Sequence, residues 1–279
     1  MATALVHVAL LAYIAAAVVY LTWLVRPREA LVGPGRYLLL GGLVAHLGSF
    51  PALWLASAGP RVWTAGHLFS LLAAATVAAY LLLDWKYRVP VAGAFAAPLT
   101  VAAMIPAHLV PTQAREVAPG IAHLFLLPLH VGSAVAGSVA VSLAFVLAVV
   151  YLASERRLKK KQATWLLARL PSLELIDRLG WRLAVWGFIF LSLTIATGSF
   201  VSRAQTGTLL PFAAKQAFAL LAWGLLAVLI QARLVAGWRG RRVSWLVVIG
   251  FVFLVGSYAG LLSQEQAPPA ATVSLGERP

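Results

Sequence analysis

Runs of about twenty mostly apolar residues, separated by short polar breaks, set the rhythm of this chain. Eight such runs fall at about 3–25, 37–57, 62–83, 89–110, 122–153, 181–201, 213–236 and 243–262. Each is long enough for a helix to cross a hydrocarbon core of about 30 Å. Strands of a membrane barrel would be only about ten residues long, with alternating polarity. Gly, Ala, Ser and Thr recur inside the runs, as close helix contact in lipid requires. The pattern predicts an all-α fold, a polytopic membrane bundle of about eight transmembrane helices in one domain over 1–263. The last stretch, 264–279, is polar and Pro-rich and is expected to be disordered.

Composition agrees with the pattern. The 279 residues are 62% hydrophobic and 11% charged, with mean hydropathy +0.90. A soluble globule carries about 25% charged residues to face water. Cysteine is absent, which excludes disulfides, thiolate metal sites and thiol chemistry. Residues 1–23 have no basic leader and no small-residue cleavage pattern, so they are expected to stay as the first span.

Charge gives the orientation. There are 22 Lys and Arg against 8 Asp and Glu. In a soluble chain that balance would suggest nucleic acid. Here 17 of the 22 fall in the connections after the odd-numbered runs and 5 on the other side. The positive-inside rule therefore places the 17-residue side in the cytoplasm and both termini outside, with no nucleic-acid partner expected. The longest connection, about 154–180, carries ERRLKKK (155–161) and then LPSLELIDRLGWR (170–182). The second segment spaces its leucines as an amphipathic surface helix would. The simpler reading is a solvated charge cluster that fixes topology.

Acidic residues are nearly absent from the runs, and that argues against a carboxylate relay or a transport pathway. Histidine is distributed differently. His7, His67, His108, His123 and His130 all map to the outer half, His46 lies near the midplane, and none is cytoplasmic. Neutral imidazole is a usual ligand of haem iron, and a haem needs apolar walls with one or two axial donors. His130, His67, His46 and His108 are the candidate cofactor-binding residues, with His130 the candidate axial ligand of a haem b iron. His7 and His123 are weaker candidates because they stand close to water. For each histidine the simpler alternative is an interfacial side chain bonded to a backbone carbonyl. Pro128 suits a first helical turn, so run 5 is expected to restart there with 119–127 as an interfacial segment. Trp23, Trp54, Trp63, Trp85, Trp181 and Trp238 lie near run ends, like an aromatic belt. Trp186 and Trp223 lie deeper, where they suit either a porphyrin or ordinary packing.

Three segments in order carry a resemblance: PLHVGSAVAGSVAVSLAFVLAVVYLASERRLKKK (128–161), LPSLELIDRLGWRLAVWGFIFLSLTIATGSF (170–200) and KQAFALLAWGLLAVLIQARLVAGWRGRRVSWLVVIGF (215–251). Over about half its length the chain resembles the cytochrome c assembly protein family, the CcsA-, CcmC- and HemX-like membrane proteins that handle haem. The shorter, eight-span HemX-like branch is the nearest in form. The resemblance implies haem as ligand, and apocytochrome c and other maturation proteins as partners, in a bacterial inner membrane. His130 falls on the family's first external histidine. The chain also departs from the family. The loop 202–215 lacks the family's Trp-rich segment, Gln231 stands where a histidine is expected, and GSYAGLLSQ (256–264) has no second external histidine. These departures weigh against a standard haem–apocytochrome ligase. The expected function is a haem-binding or haem-handling protein of cytochrome c-type biogenesis that presents haem at the outer face. The alternatives are a HemX-like regulatory or scaffold protein without its own haem and, last, a small transporter.

Overall fold

The computed structural model describes residues 2–26, 28–56, 65–109, 125–160, 171–209 and 213–266. Eight long helices are present among them: α1 (Ala2–Val25), α2 (Val32–Ala56), α3 (Ala65–Tyr87), α4 (Pro90–Leu109), α5 (Leu127–Lys159), α6 (Leu173–Thr206), α7 (Ala214–Val235) and α8 (Arg241–Gln266). All eight are long and apolar enough to span a membrane, and the described residues contain no strand.

Several helices outrun the apolar runs. α2 begins at Val32, after a 3-10 turn at Glu29–Leu31. α3 continues to Tyr87 and so carries Asp84 inside a helix. α8 reaches Gln266, three residues into the segment expected to be disordered; 267–279 lie outside the described residues. The largest difference is at α6. Residues 173–182 are neither a separate surface helix nor a solvated cluster, but the first turns of a 34-residue helix continuous with its span. Ser172 caps it by accepting a bond from the Leu175 amide at 3.2 Å. The leucine periodicity has a burial cause, since Ile176 and Leu179 are almost fully buried in the core.

The bundle has two apolar cores. One gathers α1 to α4 with one face of α5 and the start of α6; the other gathers α5 to α8. α5 is the shared wall. Its Val135, Val139, Leu143 and Val146 serve the first core, and Val141, Ala144 and Ala148 the second. Small residues let α6 lie close against it. A Cβ on Gly187 would stand 2.7 Å from Val141 Cγ2, and one on Gly137 3.1 Å from Leu191.

Helix alternation sorts the chemistry to two ends. At the basic end each core is tied by an Asp–Arg pair. Asp84 of α3 accepts from Arg36 of α2 at 2.6 and 3.0 Å, and Asp84 is fully buried. Asp177 of α6 accepts from Arg233 of α7 at 2.8 and 3.3 Å and from the Gly240 amide at 3.0 Å. The near-absence of acidic residues from the runs, counted above against a transport pathway, thus misses two carboxylates paired with arginine. Asp84 lies one residue beyond the predicted run, and Asp177 lies in a segment read as a connection.

The first pair is unequal, because Arg36 keeps 43% of its side chain exposed while Asp84 keeps none. Removing the arginine strands a buried carboxylate; removing the aspartate frees an arginine that can reach water. Arg36→Ala is therefore expected to cost about 3–5 kcal/mol and Asp84→Ala clearly less, with the double variant recovering part of the arginine loss. Thermal unfolding of the three variants in detergent checks the order.

Candidate functional site

The other end carries the histidines. His7 lies in the second turn of α1, His67 in the first turn of α3, His108 in the last turn of α4 and His130 at the start of α5. His123 lies outside the described residues, as do 119–124 of the expected interfacial segment. Pro128 stands in the first turn of α5, as its fixed φ and missing N–H favour.

His130 packs against α6. Its Nδ1 lies 3.0 Å from the Thr194 carbonyl oxygen and 3.3 Å from Thr197 Oγ1. A carbonyl only accepts, so Nδ1 carries the proton and, in the neutral ring, Nε2 keeps the lone pair. Gly198 makes the approach possible: a Cβ there would sit 2.8 Å from His130 Cε1. Ser133 extends the network. Its hydroxyl donates to the His130 carbonyl at 3.0 Å and accepts from Thr194 at 3.0 Å. Lys215, in the first turn of α7, stands close enough to bear electrostatically on the ring.

His67 is half-buried on α3. One half-turn deeper, Phe69 meets Tyr258 of α8 with centroids 5.3 Å apart, and the Tyr258 hydroxyl is bonded to Ser138 of α5 at 2.7 Å. The helices that bear His67 and His130 are thus knitted together below these residues. His46 is different. It is fully buried, stacked on Phe50, with Nδ1 at 3.2 Å from the Tyr13 hydroxyl and Nε2 at 2.7 Å from Ser70 Oγ. Both ring nitrogens are engaged, so His46 ties α1, α2 and α3 together rather than offering a lone pair to a metal. His108 is exposed, with Nδ1 2.8 Å from the Met104 carbonyl, and its ring neighbours His7.

Among the described residues no three His, Asp or Glu side chains cluster as a metal site. The structure separates the predicted residues into four places: His130 between α5 and α6, His67 in the first turn of α3, His46 inside the first core, and His108 with His7 between α4 and α1. Of the deep tryptophans, Trp223 stacks on Phe188 at 5.5 Å and donates to Ser192 at 2.8 Å, while Trp186 stacks on Phe190. Packing accounts for both.

Sequence reasoning did not single out Thr194, Thr197, Gly198 or Ser133. A signal was available in GSAVAGS on α5 and TIATGS on α6, two small-residue stretches that meet at the histidine. Two cavities of about 600 and 640 Å³ lie at the basic end. The smaller is lined by Trp23, Arg36, Asp84 and Arg88, and the larger by Asp177 and the α7–α8 turn.

Fold and side-chain placement together define an all-helical multi-pass membrane protein, with ion pairs at one end and imidazoles at the other. Residues 62–266, α3 through α8 with their connections, match the family described as Cytochrome C assembly protein. The chain belongs to that family. It is 31% identical over 93 residues to the cytochrome c biogenesis protein CcsA of Parasynechococcus marenigrum (strain WH8102), a stretch covering 33% of this chain and 30% of that one. With CcsA of Gloeobacter violaceus (strain ATCC 29082 / PCC 7421) it shares 31% over 88 residues, 32% of this chain and 26% of the relative. The matched stretch is thus under a third of these relatives. In fold it is similar to the cytochrome c haem lyase CcmF, with TM-score 0.64 and 15% identity over 95% of this chain and 51% of that one.

Replacing His46 tests its assignment as a packing residue. His46→Ala strands the buried Tyr13 hydroxyl and opens a cavity, at a cost of about 2–4 kcal/mol. Its unfolding midpoint in detergent is expected to fall while any chromophore bound by the protein is unchanged in the folded fraction.

Proposed function

We propose that the protein binds haem at its histidine end, through His130, and acts in cytochrome c-type biogenesis. The observation that carries this reading is the bond from His130 Nδ1 to the Thr194 carbonyl. Histidines that ligate a metal almost always donate their second nitrogen to a carbonyl or carboxylate, which fixes the ring and its tautomer. Here that second nitrogen is bonded to the Thr194 carbonyl, and the remaining lone pair is on Nε2. Lys215, in the first turn of α7, bears electrostatically on the same ring. A bound haem would supply iron for axial ligation by His130, with His67 as the second imidazole donor from α3. The family and the CcsA relatives, whose printed name is cytochrome c biogenesis protein, support the same role.

The positive-inside count supports a cytoplasmic basic end and an outer histidine end, in a bacterial inner membrane with both termini outside. Haem would then be presented on the outer side to apocytochrome c and its maturation proteins. In this reading the bundle of 1–263 works as one transmembrane domain. Covalent attachment needs thiols, and this chain has none; they belong to the apocytochrome. A HemX-like scaffold role without haem is the second reading, and the departures at Gln231 and in loop 202–215 favour it.

Protein purified in detergent from haem-replete cells is expected to show a Soret band of haem b. The band should vanish in His130→Ala and fall severalfold in Gly198→Val, which drives a side chain into the imidazole. His67→Ala is expected to retain haem but convert a low-spin spectrum to a high-spin one. Loss of the gene should reduce covalent haem staining of c-type cytochromes. A colourless parent protein would instead favour the scaffold role.

A further inference from the structure

Two imidazoles that the haem reading leaves unused meet at the histidine end. The rings of His7 and His108 have centroids 5.6 Å apart and planes tilted by 54°. Both side chains are exposed. Their backbones are fixed, because Ala9, two residues after His7, and Met104, four before His108, are fully buried in the first core. The pair is therefore held by the packing of α1 on α4 rather than by a loop.

The chemistry of His108 is set in the same way as that of His130. Its Nδ1 faces the Met104 carbonyl oxygen at 2.8 Å. The oxygen can only accept, so Nδ1 is the N–H and the neutral ring keeps its lone pair on Nε2. This orienting bond is the one that metal-ligating histidines use. The separation suits one ion between the rings. With zinc–nitrogen bonds of about 2.0–2.1 Å, two imidazoles on a tetrahedral ion have ring centres roughly 5–5.5 Å apart. Two axial ligands across a haem iron stand opposite each other, with centres roughly 6 Å apart or more. At 5.6 Å the pair is within about 0.1 Å of the small-ion spacing and is too close for a porphyrin between the rings.

We propose that His7 and His108 form a site for a divalent transition-metal ion of the zinc and copper class, reached from the aqueous phase at the histidine end. Two imidazoles hold the ion, and water or another ligand completes the shell. No third His, Asp or Glu joins them among the described residues, and the exposure of both rings suits an exchangeable ion. It bridges α1, which precedes the residues matched to the family, to α4, which lies within them. Bound metal would couple the first helix to the rest of the bundle. The site is independent of His130 and does not rest on the haem reading.

The test uses the full chain in detergent, purified with a tag that contains no histidine, stripped with chelator and titrated with Zn²⁺ and Cu²⁺ in a calorimeter. About one ion per chain is expected, with Cu²⁺ bound more tightly than Zn²⁺. His7→Asn and His108→Asn should each weaken Zn²⁺ binding by about tenfold or more. Zn²⁺ should raise the unfolding midpoint of the parent but of neither variant. In the unsubstituted chain, electron paramagnetic resonance of bound Cu²⁺ should report two imidazole nitrogens, a readout that no folding defect can disturb. Unchanged Zn²⁺ affinity in both variants, absence of saturable binding, or a Cu²⁺ spectrum without paired nitrogens would overturn the proposal. So would a Soret band lost with His7 or His108, since that would make them haem ligands. A colourless parent protein that still binds zinc would sink the haem reading and leave this one standing.

Discussion

Inside a bilayer no water arrives to satisfy a polar group, so every such group must find its partner within the protein. That constraint shapes this bundle more than any single apolar contact. Hydroxyls deep in the helices return their protons to the preceding turn, as Thr76 does to Leu72, Thr100 to Ala96 and Ser154 to Val150. His46 spends both nitrogens on neighbouring helices. Asp177 uses its carboxylate three times, twice on Arg233 and once on the Gly240 amide. Arg233 in turn lies 4.8 Å from the Trp181 ring centre, so the cation is shared between a carboxylate and an indole. Asp84 departs from this, since its Oδ1 is buried without a bond while Oδ2 takes both from Arg36. One carboxylate oxygen kept dry and unpaired costs stability, and it makes the Arg36 contact indispensable.

The two ion pairs divide the labour between the two cores. Arg36–Asp84 closes α2 on α3 in the first, and Arg233–Asp177 closes α7 on α6 in the second. Both lie at the basic end, where long arginines can leave part of their charge near water. The histidine end is held by hydroxyls, imidazoles and glycine contacts, which are weaker individually and easier to open.

Much of the fold was legible because hydropathy in a membrane chain is close to a direct reading of helix position. Span number and order followed from runs of apolar residues alone. The helix ends did not, because polar residues that continue a helix past the bilayer look like loop. Asp84 and the turns at 173–182 were misplaced for that reason. Their side chains are satisfied by partners 48 and 56 residues away in sequence, and no local pattern encodes such partners. The candidate site was half legible as an arrangement of side chains. His130 stood out through Pro128 and the small residues that follow it. The value of Gly198 appears only when α6 is laid against α5 in register. His7 was set aside for being near water, yet exposure is what allows an exchangeable ion to reach it.

The departures from the family read differently once the bundle is assembled. A Trp-rich loop would give a haem an aromatic wall, and a second external histidine on α8 would give it a trans ligand. This chain has neither in 202–215 or 256–264. What it has instead is an imidazole, His130, braced by a backbone carbonyl, with Lys215 near it and a third helix, α3, bringing His67 to the same end. A single well-oriented histidine with an optional partner gives weaker, more exchangeable haem ligation than a fixed trans pair. That is a poor arrangement for holding haem through a covalent reaction and a suitable one for passing it on. Under the haem reading proposed above, the geometry that argues against a ligase argues for a carrier, and whether haem stays bound without His67 decides between them.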